Sequence, residues 1–174
     1  LEKKAMTIPQ SIHLDLQTFR ILKKGLMSVA PEEGCALLLG NKGFNKISQS
    51  ETFFKIQTIW PCCNIWTQTY LEKVESQIKR NKIIITPKLS RANRFSIDPR
   101  EQLHAQKWAR KKHYEVLGIA HSHPHSSGIP SSTDCKLSFA PGLMLILDQK
   151  GEINPWWVSN NQKFDPIGIE YLIN

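Results

Sequence analysis

The sequence predicts an α+β fold in which helices pack on a curved, largely antiparallel β-sheet. Helix-like and strand-like segments alternate along the chain without a repeated βαβ rhythm, and hairpins are predicted only towards its C-terminal end. The chain has 174 residues, of which 40% are apolar and 22% charged, which is ordinary for a globular domain with a sizeable core. We therefore expect one domain over residues 1–174.

The N-terminal part of the chain predicts a short extended segment followed by a helix. Residues 1–12 are expected to be either a frayed end or an edge strand from Met6 to Ile12. The segment from Asp15 to Ala30 predicts an amphipathic helix, which Pro31 ends. Its apolar residues recur at helical spacing, and they are Phe19, Leu22, Leu26 and Val29.

Two strands are predicted in the next part of the chain. The apolar run from Cys35 to Gly40 predicts a central strand, and the segment Gly40–Gly43 predicts a turn after it. Alternating residues from Phe53 to Trp60 predict a second strand, which ends at the segment 61–64.

An insertion and a second helix follow. Residues 65–92 mix charged residues with a short β-type run and predict an insertion. This insertion is either a surface elaboration without a role or a flap that holds an extended substrate tail, for example by adding a β-strand. Asp98 is the expected N-cap of a helix from Arg100 to His113, with Pro99 at its first position.

The C-terminal part of the chain predicts a hairpin. Leu143–Leu147 and Ile153–Val158 are the expected strands, with a turn over residues 149–151. Residues 159–174 are expected to form a last turn and a short strand or tail.

The net charge of +8 raises the possibility of nucleic-acid binding. Much of the positive charge lies in two clusters, Lys73–Arg94 and Arg100–Lys112. We interpret the second cluster as the solvated face of a helix. A positively charged surface would also suit an acidic protein substrate.

The cysteines and the hydropathy pattern predict a cytoplasmic protein. The four cysteines include the neighbours Cys62 and Cys63, which make a poor framework for disulfides, and no Cys-x-x-Cys pair is present. Reduced cysteines are typical of the cytoplasm. No apolar run approaches the roughly 20 residues of a membrane helix, so we expect no membrane partner.

The residues that predict chemistry lie between Val116 and Asp134. A buried strand, Val116–Ala120, leads into His121 and His123, whose side chains at i and i+2 point to the same face of a strand. A loop rich in proline and glycine follows, and Ser131 is the expected N-cap of a helix that brings Asp134 back beside the histidines. Two nitrogens, one carboxylate oxygen and an open fourth position form the ligand set of a catalytic zinc ion.

This spacing resembles the signature of the JAMM (MPN+) metalloproteases. The pattern His-x-His-Pro-x6-Ser-x-x-Asp is matched at every defined position, by His121, His123, Pro124, Ser131 and Asp134. The family's upstream Glu-x-Cys pattern is matched by the segment 33–35. The resemblance covers roughly residues 10–158 and implies the JAMM/MPN architecture, which is cytidine-deaminase-like.

The resemblance also implies an activity and a role for each motif residue. A protein of this kind is a zinc-dependent peptidase or isopeptidase, in which His121, His123 and Asp134 hold Zn²⁺. A hydrolytic zinc needs a nearby group to accept a proton from its water. The family pattern places this base two residues before the cysteine, which implies Glu33 and not Glu32. The serine matching Ser131 helps to hold the oxyanion, and it can also be a helix N-cap.

The substrate class implied by the resemblance is a protein. Small stand-alone prokaryotic members resemble enzymes that hydrolyse an amide bond at the Gly-Gly end of a ubiquitin-like or sulfur-carrier protein. In this family an asparagine also commonly follows the second strand, and Asn64 matches it.

Three alternative classes of protein remain to be compared with this pattern. The metallo-β-lactamase motif His-x-His-x-Asp-His is not completed, because His125 and Ser126 occupy its last two positions. The zinc-deaminase pattern with Pro-Cys-x-x-Cys is absent. The third is a non-catalytic MPN scaffold or a basic nucleic-acid-binding module, which would need a stripe of cations with exposed aromatic residues in residues 73–94.

Overall fold

The computed structural model describes residues 8–44, 52–67, 90–131, 133–134, 141–160 and 163–172. Over these residues the chain has an α+β fold, as predicted, with eight strands and two helices. Neither helix in this part of the chain is long and apolar enough to cross a membrane. In chain order the elements are β1 (Ser11–Asp15), α1 (Leu16–Met27), β2 (Cys35–Phe44), β3 (Thr52–Cys62), α2 (Pro99–Lys111), β4 (Glu115–Ser122), β5 (Gly142–Leu147), β6 (Ile153–Val158), β7 (Phe164–Pro166) and β8 (Gly168–Leu172).

The strands form one mixed sheet in the order β7-β6-β5-β4-β2-β3-β1-β8. Four neighbouring pairs are antiparallel, β7/β6, β6/β5, β4/β2 and β2/β3, whereas β5/β4, β3/β1 and β1/β8 are parallel. The prediction of a largely antiparallel sheet is therefore confirmed only in part. Parallel pairs need long crossover connections, and local periodicity in the sequence does not reveal which strands such connections bring together. The sheet curvature and the cytidine-deaminase-like detail stay predictions.

The N-terminal strand differs from the predicted edge strand at Met6–Ile12. Strand β1 begins at Ser11 and lies inside the sheet, between β3 and β8. Its residues Ile12 and Leu14 are fully buried, so this short strand belongs to the core.

Asp15 ends the strand and caps α1, because its side chain accepts a hydrogen bond of 2.8 Å from the backbone N–H of Thr18. The helix ends at Met27, before the predicted end at Ala30.

The turn predicted at Gly40–Gly43 is wrong, because β2 continues through these residues to Phe44. Gly40 lies at an irregularity in the β2/β3 ladder, where the pairing register shifts after Leu39. A Cβ atom on Gly40 would lie 2.0 Å from the carbonyl oxygen of Lys55, so no other residue fits. Glycine inside a strand often marks such a bulge rather than a turn.

Helix α2 and the C-terminal hairpin are confirmed with small shifts in their bounds. The side chain of Asp98 accepts a hydrogen bond from the Arg100 N–H, and Pro99 is the first helical residue. The hairpin strands β5 and β6 pair antiparallel as predicted. Of the predicted insertion at 65–92, residues 68–89 lie outside the described residues, so its structure and role stay predictions.

Both faces of the sheet centre are buried. Alternate residues of β2 contribute to two apolar clusters, Ala36 and Leu38 to one and Leu37 and Leu39 to the other. The first cluster also contains Leu22 and Leu26 of α1, and the second contains Ala105 and Ala109 of α2. The two helices therefore pack on opposite faces of β2, which fixes the position of its first residues.

We predict that Phe54→Ala lowers the free energy of unfolding by about 3–5 kcal/mol, the usual cost of truncating a buried aromatic residue. Phe54 is 2% exposed, and its ring packs edge-on against Trp157 at a centroid distance of 6.0 Å. Urea denaturation measures the change. Leu103→Ala is the matched control, because Leu103 is 54% exposed and its truncation should cost less than about 0.5 kcal/mol. Equal losses in the two variants would contradict this account of the core.

Candidate metal centre

The antiparallel pairing of β2 and β4 brings the predicted site residues to one end of the sheet. Cys35, the first residue of β2, lies opposite His121, next to the last residue of β4. Glu33 precedes β2 by two residues, so its backbone approaches the same end. Cys35 and His121 are therefore neighbours because of one strand pairing, although they lie far apart in the chain.

The structure brings His121, His123 and Asp134 together in a buried cluster. The Nε2 atoms of the two imidazoles are 3.0 Å apart. One carboxylate oxygen of Asp134 lies 3.7 Å from His121 Nε2, and the other lies 3.7 Å from His123 Nε2. Three ligand atoms from two parts of the chain thus converge on one point, as the sequence predicts.

Local hydrogen bonds fix the orientation of His123 and Asp134, and a ring contact holds His121. Ser131 and Asp134 form a reciprocal cap, in which the Ser131 N–H donates to the Asp134 carboxylate at 2.7 Å and the Asp134 N–H donates to Ser131 Oγ at 3.2 Å. These hydrogen bonds are those expected of an N-cap at Ser131, and residues 135–140, where the predicted helix would continue, lie outside the described residues. His123 Nδ1 is 2.8 Å from the carbonyl oxygen of Ser127, which directs Nε2 towards Asp134. His121 is held from the side by Phe95, which stacks on its ring at 4.3 Å.

The arrangement of these three residues fits a metal ion. The donors of a tetrahedral zinc site with bonds of 2.0–2.1 Å lie roughly 3.4 Å apart. Here one nitrogen or oxygen atom from each of the three side chains lies within 4.8 Å of the other two. Burial, together with the nearby His123, lowers the pKa of His121 to about 4 despite the Asp134 charge, so its imidazole stays neutral. His121 Nδ1 is buried without a hydrogen-bond partner, which also disfavours a charged ring. Neutral imidazole is the form that binds metal.

The surroundings of Asp134 and His123, unlike those of His121, favour the charged form of the side chain. Although burial alone would raise the pKa of Asp134, its contacts with His123, His121 and Ser131 hold it well below its usual value. Burial would lower the pKa of His123, but contacts with Asp134 and Ser127 raise it above its usual value. The Asp134 carboxylate is therefore ionised, which is the form that a divalent cation requires.

Glu33 lies beside this cluster and is 6% exposed. Burial raises its pKa to about 7, and the Asp134 charge adds to this effect, whereas His123 and Arg94 oppose it. A carboxyl group with a pKa near neutrality is suited to accept and return a proton. Its neighbour Glu32 is half-exposed and faces Arg91 at 3.8 Å, so only the second glutamate of the pair is buried at the site.

Ser122 and Gly34 are structural residues of the site that the sequence interpretation missed. The Gly34 N–H donates to Ser122 Oγ at 2.9 Å, and the Ser122 N–H donates to the Gly34 carbonyl at 3.0 Å. A Cβ atom on Gly34 would lie 2.3 Å from the carbonyl oxygen of Leu26, so this approach to α1 requires glycine. The sequence did contain a signal for Ser122. It is a polar residue between two histidines at the end of an apolar strand, and strand alternation directs its side chain to the opposite face from theirs.

Comparisons with known proteins agree with this geometry. A family model described as prokaryotic homologs of the JAB domain matches residues 17–159. A curated protein from Pyrococcus furiosus, named desampylase, is 33% identical over 96 residues, which are 52% of this chain and 69% of that protein.

Two solved structures share the fold. One is a protein of Desulfitobacterium hafniense, with a TM-score of 0.70, 24% identity and coverage of 94% of both chains. The other is a protein of Salinibacter ruber, with a TM-score of 0.56, 17% identity and coverage of 92% of this chain and 90% of that one. At these identities the likeness concerns the fold alone.

We predict that Glu33→Gln stabilises the metal-free protein at alkaline pH. The pKa of Glu33 is raised from 4.5 to about 7 in the folded chain, so its favourable contribution is complete below pH 4.5 and is lost as the pH rises through 7. Relative to the variant, the wild-type protein should lose up to about 3 kcal/mol of unfolding free energy between pH 4.5 and pH 8. Denaturation in the presence of a chelator measures the difference, with Glu32→Gln as the control. A difference between wild type and variant that does not change with pH would contradict the assignment.

Proposed function

The chain belongs to the family of prokaryotic homologs of the JAB domain, as its JAMM-like motif predicted, and on this premise we propose that it is a zinc-dependent peptidase or isopeptidase. The observation that carries the proposal is the buried cluster of His121, His123 and Asp134 with Glu33 beside it. The proposed reaction is hydrolysis of an amide bond in a protein substrate.

The proposed metal ligands are His121, His123 and Asp134. When bound there, zinc supplies Lewis acidity, which lowers the pKa of water and polarises the carbonyl of the scissile amide. The support from this chain is the donor set of two imidazole nitrogens and one carboxylate. Ser127 orients the His123 imidazole, and Ser131 orients the Asp134 carboxylate. The fourth side of such a site is left for water and substrate.

Glu33 is the proposed proton carrier. Its buried carboxyl group has a pKa of about 7 because of burial, so it accepts a proton from water at neutral pH and returns it to the leaving nitrogen. The neighbouring thiol of Cys35 is not a nucleophile in this proposal, since burial raises its pKa to about 12.

Ser131 is the proposed donor to the oxyanion. Its Oγ accepts a hydrogen bond from the Asp134 N–H, which fixes the position of the oxygen. A hydroxyl group that accepts one hydrogen bond retains its own hydrogen as a donor. That hydrogen is proposed to bind the oxygen of the substrate carbonyl as negative charge develops on it.

The proposed substrate is the Gly-Gly end of a ubiquitin-like or sulfur-carrier protein. The similarity to a protein named desampylase supports this class, together with the enzymes that small prokaryotic JAMM proteins resemble. The net charge of +8 favours an acidic protein partner, and its contribution should weaken as salt is added. The complete ligand set argues against a non-catalytic scaffold.

The cytoplasm is the proposed location, and residues 1–174 the proposed single domain. Cys35 and Cys62 lie opposite each other in the β2/β3 ladder, and both are free thiols, as is Cys63. The neighbouring Cys62 and Cys63 also make a poor framework for disulfides, and reduced cysteines are typical of the cytoplasm.

The first test measures metal content and activity in the same preparations. We expect one tightly bound zinc per chain, retained in Glu33→Gln and lost in Asp134→Ala. The activity probe is a ubiquitin-like protein whose C-terminal Gly-Gly is joined by an amide bond to a fluorescent reporter. Chelation and Asp134→Ala should abolish release of the reporter, and Glu33→Gln should reduce kcat by about 10²-fold or more.

Each of these variants has a matched control. Glu32→Gln removes a half-exposed carboxylate next to Glu33, and Asp165→Ala removes an exposed one far along the chain. Both controls should bind zinc and cleave the probe as the wild type does. A protein that binds no zinc after reconstitution would refute the hydrolase proposal, and retention of nucleic acid in 0.5 M salt would favour the basic-module alternative.

A separate prediction concerns Ser131. We expect Ser131→Ala to lower kcat/KM by about 10²-fold, because loss of one oxyanion donor has this order of effect. Ser126→Ala, an exposed serine in the same loop, is the control. Steady-state kinetics on the same probe measures both. If Ser131→Ala lowers only the thermal stability and leaves kcat/KM unchanged, Ser131 acts as a helix cap alone.

A further inference from the structure

Asn64, which follows β3, joins three separate segments through its side chain. Its Nδ2 group donates to the carbonyl oxygens of Glu33 at 3.0 Å and Arg94 at 2.8 Å. Its Oδ1 atom accepts from the backbone N–H groups of Trp66 at 3.0 Å and Ser96 at 3.2 Å. A carboxamide has two donor hydrogens and two acceptor lone pairs, so the hydrogen-bonding capacity of this side chain is fully used.

Two of these partners flank Phe95 on either side. Phe95 stacks on the His121 ring, with 4.3 Å between centroids and 23° between planes. The backbone around it is fixed further by a β-bridge between Asn64 and Ile97. Asn64 therefore holds the backbone on both sides of Phe95, and the Phe95 ring in turn contacts a proposed metal ligand.

The third partner is the backbone of the proposed base. The Glu33 carbonyl is held by Asn64, and the Glu33 N–H donates to the Arg91 carbonyl at 2.7 Å. The Arg91 side chain also binds close to Asn64, since its Nε donates to the carbonyl of Trp66, two residues after Asn64, at 3.1 Å. The carbonyl of Glu33 is thus held by Asn64, and its N–H is held by Arg91, which lies in the segment that Asn64 also binds at Arg94.

We propose that Asn64 is a positioning residue that sets the location of Glu33 and, through Phe95, the location of the His121 ring. This inference rests on the proposed function for the roles of Glu33 and His121. Displacing a base by about 1 Å can lower the rate 10²-fold, so hydrogen bonds to its backbone matter for turnover. Substrate binding does not depend on these bonds, so KM should change little.

The test uses Asn64→Ala and begins with zinc affinity, which needs no substrate. In a competition with a chromophoric chelator, we expect the variant to bind zinc about tenfold more weakly, the usual effect of losing an outer-shell support. Asn93→Ala is the matched control, because within the described residues the Asn93 side chain accepts a hydrogen bond from the Ser90 N–H of its own segment and contacts no site residue. Its zinc affinity should equal that of the wild type.

Kinetics on the Gly-Gly reporter then separates positioning from simple structural support. We expect Asn64→Ala to lower kcat by about 10²-fold with KM within about twofold. In a Glu33→Gln background and at saturating zinc, the same substitution should lower kcat by much less than 10²-fold, because a base that is already absent cannot be misplaced and only the displacement of the His121 ring remains. Losses that multiply in the double variant would overturn the proposal, as would unchanged zinc affinity and kcat in Asn64→Ala.

Two additional measurements distinguish the failure of this proposal from a misfolded variant or a wrong substrate. If Asn64→Ala does not fold, Asn64→Ser, which retains one donor and acceptor, is measured against the same criteria. A wild-type protein that binds zinc but does not release the reporter would refute the proposed substrate and not the positioning role. In that case zinc affinity alone decides, and equal affinity in wild type and variant would overturn the role of Asn64.

Discussion

The register between β2 and β4 is the constraint on which the rest of the site depends. It places Cys35 opposite His121, and thereby brings the approach to β2 and the end of β4 together. A slip of one residue would turn both histidines to the other face, because side chains alternate along a strand. The reciprocal hydrogen bonds between Ser122 and Gly34 continue this ladder just beyond Cys35 and hold the register where the metal ligands begin.

The convergence of the proposed metal ligands was predictable because these residues are close together in the sequence. His121, His123, Ser131 and Asp134 lie within 14 residues, where strand alternation and helix capping are sufficient to infer that the side chains converge. Glu33 is different, since one glutamate before an apolar run has no distinctive pattern of its own. Its assignment needed the family resemblance, and its buried setting appears only when β2 pairs with β4.

The features that sequence reasoning missed all depend on contacts between distant residues. Strand β1 is internal because β8, more than 150 residues later, pairs with it, and Gly40 belongs to a strand because Lys55 approaches it. Asn64 matches a family asparagine, but three of its four partners, Glu33, Arg94 and Ser96, lie about 30 residues away and could not be inferred. Propensity and periodicity describe neighbours in the chain, and they carry no information about such pairings.

The site concentrates polar groups where the fold would gain more from apolar ones. His121 is fully buried and Glu33 and Asp134 nearly so, and removing such groups from water lowers the stability of the fold. The surrounding β2 and β4 offset this cost, because their other residues bury apolar side chains against α1 on one face and α2 on the other. A polar site at the end of the sheet therefore depends on the apolar residues of the same strands. These strands both stabilise the fold and orient the side chains of the site. This explains why the residues that tie strand ends together, Ser122 and Asn64, lie beside the chemistry: there, small displacements of the backbone move several functional side chains at once.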